Sequence, residues 1–308
     1  MILVLANGGM AANCPGKIGD LVLLSAVLQQ LQQYYPVTLG CNVEMKDRLQ
    51  KASDFQVMEL SENISFMLQE VALNAEYIFI LKPFGDLEGT HWKSALQHIG
   101  IVEGRIQYIG NLQAYDFQAP HLSQQLWQAF STVIALPTIM DFCPKIPVKK
   151  KERKGAFVGI LPVAGGKDKE LPISLLQRVV DKKESPIRIF GTLYGEDPQR
   201  LQGIRKAIQR EQVSVEALEP EAIAAELFSA QKIYAVDGGL LWLVVAMLNF
   251  LFQENSAAYP EIHVIVGRKP DGSYNPVSNV WAPLVLNPSK LHIHNAEQVY
   301  ALDQLQLI

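Results

Sequence analysis

The chain has 308 residues, long for one domain and sufficient for two of roughly 150. Apolar residues make up 49 % and the formal net charge is −4, which excludes a disordered chain and argues against nucleic acid as the principal partner. Cys14, Cys41 and Cys143 are scattered thiols without a CxxC pair, so they neither staple a secreted domain nor build a zinc site.

The chain opens on an apolar strand, Ile2–Ala6, with no basic n-region or cleavage site. A loop from Asn7 to Gly16 leads to Lys17-Ile18-Gly19-Asp20, and then Leu21, Leu24, Val27, Leu28 and Leu31 recur at helical spacing until Tyr35-Pro36. Asp20 is therefore expected in the first turn of a helix at the carboxyl end of a sheet, where open α/β sheets hold their ligands. A carboxylate there can cap the helix, take a proton from a substrate, or do both.

Further strands are expected at Val37–Cys41, Gln56–Leu60, Tyr77–Leu81 and Arg105–Ile109, and in the second half at Ala156–Leu161, Ile187–Phe190, Val213–Leu218, Lys232–Val236 and Ile262–Val266. Helical patterns occupy most gaps, among them Ile173–Val180, Pro198–Gln209 and Glu221–Ala230. This alternation predicts an α/β fold: two Rossmann-like domains, 1–150 and 151–308, with parallel sheets facing a cleft. The charged run Pro147 to Gly155 reads as a solvated interdomain linker, or as a basic contact for lipid headgroups or phosphosugars. The longest apolar run, Leu240 to Phe252, is broken by Asn249 and too short to span a bilayer, so a soluble cytoplasmic protein is expected.

Several motifs fail. Gly16-Lys17 lacks the earlier glycine and the hydroxyl of a P-loop, and no GxGxxG or GxSxG follows a strand. His292-Ile293-His294 reads better as alternation in a short strand than as a metal pair; His91 and His121 have no partners at ligand spacing, and no Asp-x-Asp pair occurs. No metal and no cofactor are expected.

Three loop–helix junctions in the second half could carry chemistry. Gly165-Gly166-Lys167-Asp168-Lys169-Glu170-Leu171-Pro172 follows one strand; its glycines allow close approach and its lysines could neutralise a phosphate, or it is a flexible surface loop. Glu196, in Gly195-Glu196-Asp197, could accept from a ribose diol or simply favour a helix N-terminus. Asp237-Gly238-Gly239-Leu240 opens a very apolar helix, either as a diphosphate seat or as an ordinary turn. Trp242 lies in that helix, as a core residue or as part of the lining of a ligand pocket.

Together and in this order, these segments resemble glycosyltransferase family 9, the lipopolysaccharide heptosyltransferases of GT-B fold. The resemblance covers most of the chain, except that roughly residues 50–145 carry no motif that aligns. Lys17-Ile18-Gly19-Asp20, continuing to Tyr34-Tyr35-Pro36, is similar to the family's opening signature, which implies Asp20 as catalytic base, with Lys17 and Gly19 in an acceptor or phosphate loop. Lys169-Glu170-Leu171-Pro172 is similar to Lys-x-Trp-Pro, which implies that Lys169 contacts donor phosphates; Gly195-Glu196 with Arg200 downstream implies Glu196 at the donor ribose. Asp237, Gly238, Gly239, Leu240 and Trp242 stand where the family shows Asp-Ser/Thr-Gly, two residues, then His. Here Gly238 replaces the hydroxyl and Trp242 the imidazole, while the backbone amides survive.

The resemblance implies an active site between the domains and inverting, metal-independent transfer of a sugar, heptose from ADP-heptose foremost, to a lipopolysaccharide core or related glycan. It also implies a lipid-linked acceptor and peripheral contact with the inner membrane. The alternatives are a GT-B enzyme using a UDP- or GDP-sugar, and a non-catalytic nucleotide- or sugar-binding descendant of the fold. The segment after Asn295 is expected to cross back to the first domain.

Overall fold

A computed structural model of the chain describes residues 1–6, 18–41, 46, 50, 55–60, 65–81, 89–109, 122–139, 142–152, 155–163, 170–181, 185–266 and 285–295, with backbone only at 18–21, 89–91 and 122. Lys17, Lys169 and the segment after Asn295 lie outside the described residues, as does the side chain of Asp20. The chain divides into two compact units, Met1–Pro144 and Lys145–Ile308, each with its own sheet.

The first unit runs β1 (Ile2–Leu5), α1 (Ile18–Leu31), β2 (Val37–Cys41), β3 (Gln56–Glu59), α2 (Phe66–Asn74), β4 (Tyr77–Leu81), α3 (Gly89–His98), β5 (Ile106–Ile109) and α4 (Leu122–Ser131). All pairings are parallel and the strand order is β3-β2-β1-β4-β5. Strands buried on both faces need near-continuous apolar runs, and β1 (Ile-Leu-Val-Leu) is fully buried. One face, with Leu3, Leu5, Ile78 and Ile80, packs on Leu68 and Ala72 of α2 and Trp92 and Leu96 of α3. Helices α1 and α4 pack together, and Phe79 meets Phe130 edge-on at 4.7 Å.

The second unit runs β6 (Phe157–Leu161), α5 (Ile173–Asp181), β7 (Ile187–Gly191), α6 (Asp197–Ala207), β8 (Val213–Ala217), α7 (Pro220–Leu227), β9 (Ala230–Val236), α8 (Gly239–Leu251), β10 (Glu261–Val266) and β11 (Leu291–Asn295). Its parallel sheet has the order β11-β10-β9-β6-β7-β8. Helix α7 starts on Pro220, whose missing N–H is no loss at that position, and ends at Leu227, so the residues to Ala230 expected as helix instead lead into β9. Gly159 in β6 permits that helix to approach, since a Cβ there would lie 2.2 Å from Leu227 Cδ2.

The charged run before β6 is exposed at nearly all of its described residues, as its composition suggests, and two of its lysines also reach side chains of the second unit. Lys151 pairs with Glu226 of α7 at 2.7 Å, Lys150 lies 5.4 Å over the Phe228 ring, and Ile146 N–H donates to Ala246 of α8 at 3.1 Å. Glu226 also takes Arg188 of β7, which reaches Glu216 of β8 at 2.9 Å and lies 5.1 Å from both the Phe157 and Phe190 rings. Burial would raise the Glu226 carboxyl, but hydrogen bonds and charge from Lys151 and Arg188 outweigh it and hold it at about 2.

Candidate functional site

In each sheet the chain winds outward in one direction and then returns to the other side of its first strand, which creates a switch point at the carboxyl ends of β1 and β4 in the first unit and of β6 and β9 in the second. The sequence motifs map onto these points. Gly19 and Asp20 are the second and third residues of α1, the helix that follows β1. In the second unit, the stretch holding Lys169 begins beyond the end of β6, and Asp237-Gly238-Gly239 leaves from the end of β9. The residues that flank the Lys169 stretch are drawn together by Leu171 N–H donating to Pro162 at 2.9 Å.

At the β9 end, Asp237 N–H donates to Ile265 of β10 at 3.1 Å, which extends the ladder by one residue. Gly238 then caps α8 in an extended conformation (φ −159°, ψ 163°) with no side chain to accept from the first helical amides. Those amides, at Gly239 and Leu240, form the positive end of a helix of thirteen residues, a seat suited to an anion. Gly238, Gly239 and Leu240 are partly exposed, while the helix beyond them is buried on every side from Leu241 to Asn249.

Trp242 admits two readings from sequence, a core residue or a wall of the donor pocket. It is 1 % exposed, and its indole N–H donates to Asp237 Oδ1 at 2.9 Å. The described atoms give it a packing role, in which the helix turns back to satisfy the acid that precedes it. Asp237 itself is 8 % exposed, so without the indole it would hold a buried carboxylate oxygen. The sequence offered both residues but not the bond, because a contact between positions 237 and 242 depends on how the first helical turn lies.

The β7 end gathers charge around one guanidinium. Arg200 of α6 pairs with Glu170 at 2.9 Å, Glu196 at 2.7 Å and Asp197 at 3.9 Å. Glu170 is the residue after Lys169, so Arg200 ties the connection after β6 to the one after β7. Glu196 remains largely exposed beside its Arg200 partner, and Asp197 accepts from both Thr192 N–H (2.9 Å) and Thr192 Oγ1 (2.8 Å). Gly195, just before Glu196, has φ +60°, a left-handed conformation that favours glycine. Glu196, Asp237, Gly238 and Gly239, with the flank of Lys169, thus belong to the carboxyl end of one sheet. Gly19 and Asp20 belong to the corresponding end of the other.

The described cavities lie elsewhere. One of about 740 Å³ is lined by residues including Lys46, Phe55, Met58 and Met67 beside the edge strand β3, and another of about 410 Å³ by Gln177, Asp181, Lys206 and Arg210 at the far ends of α5 and α6. Neither includes a residue of the motifs above. Burial pushes the Cys41 thiol up to about 12 despite the nearby Lys46, so it is no nucleophile. No described helix is long and apolar enough to cross a membrane.

No family model matches the sequence, and no curated protein matches it. Solved structures do match the fold. E. coli ADP-heptose lps heptosyltransferase II aligns with a TM-score of 0.60 and 13 % identity over 95 % of this chain and 89 % of its own. E. coli heptosyltransferase WaaC with ADP aligns at 0.60 and 10 % identity over 99 % and 98 %. A glycosyl transferase family 9 structure from Veillonella parvula DSM 2008 aligns at 0.59 and 12 % identity over 100 % and 89 %. The two parallel-sheet units, with switch points at the ends of β1 and β6, have the architecture of these GT-B glycosyltransferases.

Proposed function

We propose that the chain is an inverting glycosyltransferase that moves a sugar from a nucleotide donor, ADP-heptose foremost, to a lipopolysaccharide core or related lipid-linked glycan. The observation that carries this reading is the meeting of the Asp237-Gly238-Gly239 junction and the two flanks of the Lys169 stretch at one switch point. The whole-chain likeness in fold to heptosyltransferases supports it.

In this reading the diphosphate sits on the amides of Gly238, Gly239 and Leu240 with Lys169 beside it, and Glu196 accepts from the ribose. An acceptor hydroxyl oxygen attacks the anomeric carbon as the bond from that carbon to the diphosphate oxygen breaks. The electron pair leaves with the nucleoside diphosphate, and the hydroxyl proton passes to Asp20. Lysine and helix amides absorb the charge of the leaving group, work that a divalent ion could otherwise do. Lys17 and Gly19 shape the acceptor side.

A melting-temperature panel with ADP, UDP and GDP, followed by calorimetry, tests donor binding. Lys169→Ala is expected to weaken the preferred nucleotide by about 1–3 kcal/mol, the scale of a charge-assisted hydrogen bond. Unchanged affinity for every nucleotide would move the donor site elsewhere, and a preference for UDP or GDP would replace ADP-heptose by another sugar donor.

A second reading, a non-catalytic nucleotide or sugar binder, is favoured by the Asp237–Trp242 bond, which commits the junction's acid to the residue that stands in place of the resembled family's His. Measurable transfer or donor hydrolysis rules it out.

A further inference from the structure

The β10 and β11 strands carry a second constellation, away from the nucleotide junction. The parallel register pairs His263 with His292, Glu261 with Lys232, and His263 with Tyr234. Side chains at those positions share one face of the sheet, so a row of polar groups crosses three strands: Lys232 and Tyr234 on β9, Glu261 and His263 on β10, and His292 and His294 on β11. One ligand atom from each of Glu261, His263 and His292 lies within 4.8 Å of the others.

Three details distinguish this group from an ordinary polar patch. His263 is buried, and its Nε2 is without a hydrogen-bond partner, 3.7 Å from Glu261 Oε2. Ligand atoms of a tetrahedral zinc ion stand about 3.3 Å apart, so that pair is already near coordinating separation. The other ring nitrogen, Nδ1, lies 3.0 Å from His294 Nε2. Coordination through Nε2 puts the remaining proton on Nδ1, where His294 accepts it, the arrangement that fixes the orientation of metal-bound imidazoles. The rings of Tyr234 and His294 stack on His263 at 4.8 and 5.3 Å, and the His292 ring lies nearly parallel to it at 4.7 Å, so His292 must turn about its side-chain bonds to aim a nitrogen at an ion shared with His263.

We infer that Glu261, His263 and His292 form a binding site for a divalent transition-metal ion, zinc foremost, with His294 orienting His263 from behind. Two imidazoles and one carboxylate select zinc and its neighbours over magnesium or calcium, which prefer oxygen alone. The site joins β11, an edge strand among the described residues, to β10. It lies two to four residues down β10 from Ile265, whose carbonyl accepts from Asp237 N–H, and so roughly 7–13 Å along the strand from that junction. Lys232, 2.9 Å from Glu261, competes with the metal for that carboxylate.

The test is calorimetric titration of chelator-treated protein with zinc chloride, with bound metal counted by elemental analysis and the melting temperature recorded alongside. One zinc per chain and a raised melting temperature are expected. His292→Ala and Glu261→Gln should each weaken zinc at least about tenfold, and His294→Ala by roughly 10–100-fold. Lys232→Gln should tighten it, because it removes the competing ammonium and leaves the three ligands in place. Absence of stoichiometric zinc, or zinc affinity unchanged by both His292→Ala and Glu261→Gln, overturns the site. If those variants unfold, Lys232→Gln decides: affinity that stays level or falls rejects the assignment.

Discussion

The two switch points both place an aspartate where a strand gives way to a helix, yet the surroundings differ. In the second unit Asp237 comes directly off β9, ahead of α8, and its carboxylate accepts from an indole five residues later. In the first unit Asp20 stands inside α1, third in the helix, and residues 6–17 separate that helix from Leu5 at the end of β1. An acid before a buried helix serves as a fastener. An acid within a helix's first turn, well removed in sequence from its strand, is where a reacting group can be presented. Under the proposed function, the same residue type at the same kind of junction does different work, Asp237 bonding to the helix that follows it and Asp20 taking the acceptor proton.

The strongest way to break that contrast is Asp20→Asn. It keeps the size and capping ability, so stability should change by less than about 1 kcal/mol. Transfer should fall by roughly 10²–10⁴-fold, the usual contribution of a positioned base. Transfer rate measured beside melting temperature decides the matter: a fully active Asn variant ends the assignment, and loss of fold with proportionate loss of rate means that Asp20 is a cap and not the base.

The second unit's acids should show their effect in stability. Glu226 has a folded pKa of about 2, below its ordinary value of 4.5, so its contribution is complete above pH 4.5 and fades as the pH falls toward 2. The loss is on the order of 3 kcal/mol. Denaturant melts between pH 5 and pH 2 should show that slope in the parent protein and a flatter one in Glu226→Gln.

Asp237→Ala leaves the Trp242 N–H buried without this acceptor and should cost about 1–3 kcal/mol. Urea unfolding measures it. A destabilisation near zero would mean that the indole finds another acceptor and that Asp237 is available to a ligand after all. The smallest effect sharpens the neighbouring loop: Gly195→Ala must adopt φ +60° and should cost roughly 1–2 kcal/mol with nucleotide affinity little changed.

Much of the fold was legible in the residues because parallel strands covered on both faces are written as short apolar runs. Val37–Cys41 and Tyr77–Leu81 coincide with their expected limits, and most others differ by a residue or two. The end of α7 was not legible, since the apolar residues from Ile223 through Phe228 to Ala230 suit helix and strand alike. The stop is made by the backbone: Ser229 N–H donates to the Glu226 carbonyl at 3.1 Å and closes the helix before Ala230 enters β9.

The site was legible only in part. The glycines and acids at the strand ends could be read off, since their chemistry is local. The Asp237–Trp242 bond could not, nor could the grouping of His263 with His292 and His294, because it depends on a strand register set across residues 267–290. Alternation explained the His292-Ile293-His294 pair, and it was the third histidine, contributed by the neighbouring strand, that gave the pair a further use.

Asn249, the one residue that interrupts the apolar run of α8, has a consequence for the timing of synthesis. Its Oδ1 accepts from Tyr259 Oη at 2.8 Å and from Leu286 N–H at 2.9 Å, both encoded later in the chain. Until the ribosome delivers residue 286, that oxygen has the Tyr259 hydroxyl but not the Leu286 N–H, a difference of about 0.5–1.5 kcal/mol. The helix can form early, and it gains this second donor from a segment 37 residues downstream. A nascent chain paused before that point therefore exposes its most apolar helix, and chaperone capture should be greatest there.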